Sequence, residues 1–129
     1  MRGLTLVEVL VVLVLAALLA GAALPSYQGQ LRRAARADAV DALTRLQAAQ
    51  ERHRAAHGWY ANQLSALGFA ATSMQGRYAI ALAPLGAERY QARAEARGAQ
   101  SADGECAQLT LDVDQGFARQ GPSARCWNR

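Results

Sequence analysis

Gly3-Leu4-Thr5-Leu6-Val7-Glu8 leads into a run from Val9 to Leu24 in which no side chain is charged or polar. Carried back to Leu4, the run admits only Thr5 and Glu8. A helix over Leu4 to Leu24 would rise roughly 32 Å at about 1.5 Å per residue, close to the hydrocarbon thickness of a bilayer. Glu8 decides how the segment is read. A secretory signal peptide wants a basic start, a short apolar stretch and a small-residue cleavage site, which Ala20-Gly21-Ala22 would supply, but its apolar stretch carries no acid. A plain membrane anchor has no use for Glu8 either, since an acid costs about 2.5 to 3.5 kcal/mol at mid-membrane. The carboxylate needs a positive partner.

The run Gly3 to Glu8 resembles the cleavage motif of type IV prepilins, in which a short basic leader ends in Gly and the mature protein carries Glu at its fifth position. The resemblance implies a leader of residues 1–3, cut between Gly3 and Leu4 by a prepilin peptidase, with Leu4 then N-methylated. It also implies that Glu8, Thr5 and Pro25 serve assembly, the Glu8 carboxylate meeting the N-terminal amine of a neighbouring subunit. Physical chemistry agrees with the placement: Glu8 lies one helical turn beyond Leu4, and a carboxylate suits the positive first turn of a helix. Leu4 stands where the family usually has Phe or Met, and Met1-Arg2-Gly3 is a short leader with one basic residue. Pro25 and Tyr27 also fall at places usual in the family. Pro25 removes a backbone donor and crowds the carbonyl of Gly21, so the helix is expected to bend or loosen there.

Beyond the span, Gly29 is the only Gly or Pro between Gln28 and His57, and Leu31, Ala35, Ala39, Leu43 and Leu46 recur at helical spacing. Asp41 precedes Arg45 by one turn, and Gly58 supplies a stop. A helix over about 4–57 would be about 80 Å long, more than a small globule can bury, so its first half needs membrane or neighbouring subunits. The divisions expected are therefore a leader at 1–3, a membrane and filament-core helix at 4–27, an amphipathic helix at 28–58, and a loop, sheet and cysteine-bounded region at 59–129.

After a loop from Trp59 to Gly76 the period changes to alternation. Tyr78, Ile80 and Leu82 form one set, Tyr90 to Ala96 a second, and Leu109, Leu111 and Val113 a third, with Phe117 to Arg119 as a short fourth strand. The turns fall at Pro84 to Glu88 and at Asp114-Gln115-Gly116. The class is α+β, one long helix on an antiparallel sheet of 3–4 strands. Cys106 and Cys126, isolated from any C-x-x-C context, read as a disulfide in an oxidising compartment, with two reduced, unrelated cysteines as the other reading. Gln50-Glu51-Arg52, Gly58-Trp59-Tyr60, Leu67-Gly68-Phe69 and Cys126-Trp127 extend the resemblance to the minor pilins of Gram-negative type IV pili. That resemblance implies an inner-membrane precursor with a periplasmic C-terminal part, later carried outward in a pilus that serves adhesion, motility or DNA uptake. Its partners would be other pilin subunits, the prepilin peptidase and the assembly machinery. Two other readings stand beside it: a pseudopilin of type II secretion, and a secreted disulfide-bonded binding domain whose signal is cut near Ala22.

All the basic residues are Arg, and with ten acids they leave a formal charge of +4, which permits an acidic partner without demanding one. Arg89, Arg93 and Arg97 should project from one strand face, with Arg77, Arg119 and Arg125 as neighbours, a stripe able to follow DNA phosphates although Glu95 interrupts it. Arg32, Arg33 and Arg36 crowd the far end of the span and would by themselves favour the opposite membrane orientation. His53 and His57 have the spacing of a zinc pair but no third ligand, so solvated histidines are expected and no metal or cofactor. Asp112, Asp114 and Gly116 resemble the opening of a calcium loop, yet without its closing Glu they read as a hairpin turn. No catalytic triad, Cys/His pair or phosphate loop stands out, so an enzyme is not expected.

Overall fold

In the computed structural model, which describes residues 3–129, a single α-helix, α1, runs from Leu6–His57 and four strands follow: β1 (Tyr78–Pro84), β2 (Arg89–Ala96), β3 (Gln108–Asp114) and β4 (Phe117–Gly121). Met1 and Arg2 of the expected leader lie outside the described residues. The chain divides into two compact units, the first ending at Leu31 and the second running from Arg32 to Arg129.

In the first unit every described side chain is exposed. The most apolar window of α1 has a mean hydropathy of 2.7, so by length and composition this helix can cross a membrane. Its start has a local cause. Thr5 Oγ1 accepts the Glu8 amide at 3.3 Å, at the spacing of a capping box, and satisfies one donor that the first turn would otherwise leave open. The loosening expected at Pro25 does not appear: α1 continues through it. Proline removes one donor, and the bonds of neighbouring turns carry the helix on.

In the second unit, Ala39, Ala42, Leu43 and Leu46 of α1 form a core with Tyr78 and Ile80 of β1, Tyr90, Ala92 and Ala94 of β2, and Leu109, Leu111 and Val113 of β3. Alanines on both sides of this contact leave little bulk between helix and sheet. Leu31, expected on the same stripe, is 47% exposed, because the buried face of α1 begins only at Ala35. The sheet is an antiparallel meander in the order β1-β2-β3-β4. Gln115 and Gly116, with φ of 49° and 87°, make the two-residue β3–β4 turn, and positive φ at both central positions is the hairpin geometry that follows strand twist. The loop from Trp59 to Gly76 is more ordered than its composition implies, holding a 3₁₀ turn at Leu64–Leu67 and a bridge from Thr72 to Ala79.

Buried polar groups fix the loops. Gln50 clamps Ala61 at both ends, its Nε2 donating to the carbonyl at 3.0 Å and its Oε1 accepting the amide at 2.8 Å. Asp38 accepts from Ser73 Oγ at 2.5 Å and from the Gln75 amide at 3.1 Å. Arg36 reaches Asp103 through two bonds of 2.6 Å, and Asp103 lies in the long β2–β3 connection that also carries Cys106. The Cys106–Cys126 disulfide, with a Cα separation of 5.1 Å, then ties that connection to the C-terminal 3₁₀ turn Ala124–Trp127.

Candidate functional site

The outward face of the sheet is set by strand alternation, and cross-strand register places its side chains in rows. Phe117, Asp114 and Arg89 form the row at the β3–β4 turn; Arg119, Asp112, Gln91 and Ala83 form the next. Gly121, Thr110, Arg93 and Ala81 follow, then Gln108, Glu95 and Ala79. The ladder extends one step further, the Arg97 amide donating to the Arg77 carbonyl at 2.8 Å, so two arginines stand opposite each other at the far end. At the end of β4 a Cβ on Gly121 would come within 2.6 Å of Thr110 Oγ1, so that position has no room for a side chain.

The three arginines expected on one face of β2 are all exposed there, but they differ in how their charge is met. Arg89 Nε is 3.3 Å from Asp114 Oδ2, and so is partly neutralised. Asp112 accepts from Gln91 Nε2 at 2.6 Å. Arg77, Arg93, Arg97 and Arg119 form no ion pair among the described residues, with Glu95 between Arg93 and Arg97 on the same face and Asp112 across the ladder from Arg119. Arg125 belongs to the C-terminal turn and approaches Glu105 at 4.0 Å. The arginines without an ion pair on this face are therefore Arg93 and Arg97 of the expected stripe together with Arg77 and Arg119, two of the three that the sequence placed beside it. From Arg89 to Arg97 the stripe covers roughly 26 Å at about 3.3 Å per residue.

At the hairpin end, Leu85, Arg89, Asp112, Asp114, Phe117 and Arg119 line an open hollow of about 510 Å³. Beneath the sheet, burial pushes the phenol groups of Tyr60, Tyr78 and Tyr90 up from their ordinary value. Tyr60 donates to Glu51 at 2.7 Å and Tyr78 meets Gln100 at 3.0 Å, while the Tyr90 hydroxyl is buried with no partner. The hydrogen bond to Asp103 is the largest cause of the raised pKa of Arg36, which keeps the buried guanidinium charged.

Other candidates settle into local roles. The rings of His53 and His57 stack at 4.2 Å, and each Nδ1 lies near a backbone carbonyl, that of Trp59 at 2.9 Å and of His53 at 3.0 Å. The carboxylates of Asp112 and Asp114 are engaged by Gln91 and Arg89 beside the two-residue turn. Glu105 lies near the sulfurs of Cys106 and Cys126, which are bonded to each other. At the other end of the chain, Gly3, Leu4, Thr5 and Glu8 sit together around the start of α1, and Pro25 lies within the helix. The capping role of Thr5 escapes the sequence reading, although its spacing to Glu8 is the signal that marks it.

Residues 25–110, about two thirds of the chain, match the family described as "Type IV minor pilin ComP, DNA uptake sequence receptor". Residues 1–24 match the prokaryotic N-terminal methylation motif. No curated protein gives a significant match. The first match ends within β3, so Phe117, Arg119 and the second cysteine lie beyond it.

Proposed function

The chain belongs to the type IV minor pilin ComP family and is a subunit of a type IV pilus, and from that premise we propose that it binds DNA during uptake through the outer face of its sheet. The observation that carries this is the set of unpaired, exposed arginines Arg77, Arg93, Arg97 and Arg119 on one face. Phosphates attract such groups without reference to sequence, and each one neutralised releases counterions. A stripe of roughly 26 Å would accompany about eight base pairs, given the 3.4 Å spacing along each strand. Arg89 contributes less, since Asp114 competes for it.

The rest of the reading concerns assembly. A prepilin peptidase cuts between Gly3 and Leu4, Leu4 is methylated, and the subunit waits in the inner membrane with residues 32–129 in the periplasm. Glu8 then meets the N-terminal amine of a neighbour as the apolar segment enters the filament. Thr5 supports this by capping the helix from which Glu8 projects, and Pro25 provides the site where assembly can loosen α1. The methylation motif and the exposed apolar segment support the sequence of events.

The test is duplex binding by the full chain in detergent across a salt series. Log affinity should fall linearly with log salt, and Arg93→Ala with Arg97→Ala should reduce that slope by roughly 1.8, at about 0.9 for each phosphate that is no longer neutralised. Absence of binding at low salt, or an unchanged slope in the double variant, would refute the assignment of DNA to this face.

A further inference from the structure

Phe117 is the most exposed large apolar side chain among the described residues, at 82%, and it stands on the same outer face as the arginines. It is the one aromatic residue among the paired outward positions, which otherwise hold alanines, glycine and polar groups. The ring is not left on a loose loop. Phe117 opens β4 directly after the two-residue turn, paired to Asp114, so the register fixes where the ring leaves the sheet.

We propose that Phe117 stacks on an unpaired base of DNA, with the hollow beside it as the subsite for that base; this rests on the DNA reading above. The surroundings point to the occupant. At the hollow itself Arg89 is paired with Asp114, and Asp112, which a hydrogen bond from Gln91 leaves charged, stands across the ladder from Arg119, so the hollow carries no net charge. Positive charge without an ion pair continues beyond it along the same face, at Arg93, Arg97 and Arg77. A nucleotide chain presents the matching features, an uncharged π-face for Phe117 and phosphates for the arginines further along. The Arg89–Asp114 pair adds a donor and an acceptor at the rim, able to meet a base edge.

Because the outward side chains of β1 are alanines, the groups that stand out from this face are the arginines and the ring of Phe117. A ring offered on a sheet can stack on a base only when that base is unpaired and turned out. Sheets that offer an exposed aromatic among cations bind single strands by stacking, because every base has a π-face. The arginine stripe would hold the backbone while Phe117 captures one base at its end.

The experiment compares binding of a single-stranded oligonucleotide and a hairpin-locked duplex by the full chain in detergent. Phe117→Leu, which keeps an apolar surface but removes the π-face, should weaken single-strand binding about 5- to 150-fold, the factor equivalent to the usual 1 to 3 kcal/mol for one stacked base. Duplex affinity should change less than about twofold, because the phosphate contacts that dominate it are untouched. Phe117→Trp should retain single-strand affinity, and its added emission should be quenched by the oligonucleotide. If Phe117→Leu binds single strands as tightly as the unaltered chain, or weakens both forms equally, the stacking role is overturned while DNA binding stands. If Phe117→Leu keeps full DNA affinity but drops out of sheared filaments, the hollow docks another subunit instead. If the unaltered chain binds neither form, the DNA reading falls with the inference.

Discussion

Replacing Arg36 by Leu should destabilise the second unit more than any exposed arginine substitution, although Arg36 makes no part of the proposed DNA face. The guanidinium and the Asp103 carboxylate are joined by two bonds of 2.6 Å, and their side chains are 7% and 4% exposed. Without Arg36 the carboxylate keeps only the Gln100 amide at 3.1 Å as a side-chain partner. Breaking a buried pair by removing one partner costs about 3 to 5 kcal/mol, because the remaining charge is stranded in a poorly polarisable interior. A domain of 60–100 residues falls roughly 4 to 8 °C per kcal/mol, so the midpoint should drop by more than about 10 °C. Near-UV circular dichroism is the suitable assay, since Tyr78, Tyr90 and Trp127 are buried in this unit and residues 1–26 contain no aromatic side chain. Asp103→Leu should cost less, because Arg36 retains the Arg125 carbonyl at 3.4 Å and its long stem lets the charge seek water. The double variant Arg36→Leu with Asp103→Leu should recover most of the deficit, as buried pairs replaced by apolar residues are often neutral. Single variants that melt within about 2 °C of the unaltered protein, or a double variant whose deficit equals the sum of the singles, would refute the claim that the pair is buried and coupled.

Tyr90→Phe should leave neutral-pH stability unchanged or raise it by about 1 kcal/mol, because it removes a buried hydroxyl with no partner. Burial raises the Tyr90 pKa above its unfolded value, so the associated stability is intact below about pH 10 and is lost as pH climbs toward the folded-state pKa, at about 1.4 kcal/mol per unit. The variant's alkaline unfolding midpoint, followed by near-UV circular dichroism, should therefore move up, and a downward move would contradict the burial of a free hydroxyl. Glu8→Val should spare cleavage and insertion but strongly reduce recovery in sheared filaments, measured beside the mature mass in membranes. Wild-type recovery would show that this carboxylate does not direct assembly.

The strands are legible in the sequence because alternation is local: Tyr90, Ala92 and Ala94 face the core for the same reason that Arg89, Arg93 and Glu95 face water. Alternation also yields the shared face of Arg89, Arg93 and Arg97, since a period of two needs no knowledge of neighbouring strands. It cannot say which of these charges is free. Asp114 neutralises Arg89 only because β3 lies against β2 in one particular register, and a register is a property of two strands together. Arg119 reaches this face by the same dependence on register, through a fourth strand that sets it opposite Asp112.

Arg36 shows the limit from the other side. In the sequence it belongs with Arg32 and Arg33 as a basic cluster beyond the apolar segment, where solvation is the ordinary fate of an arginine. Its burial depends on Asp103, in a connection whose glycines and alanines carry no periodic signal. Yet that contact, with the Arg125 carbonyl and the disulfide beside it, holds the C-terminal turn against α1. Trp127 in the same turn donates its indole N–H to the Gly121 carbonyl at 2.9 Å, so the outer end of β4 is fixed from beyond the sheet. The position of Phe117 and Arg119 on the outer face thus depends on a strand secured at its far end by long-range contacts, while the residues that secure it never meet the proposed ligand.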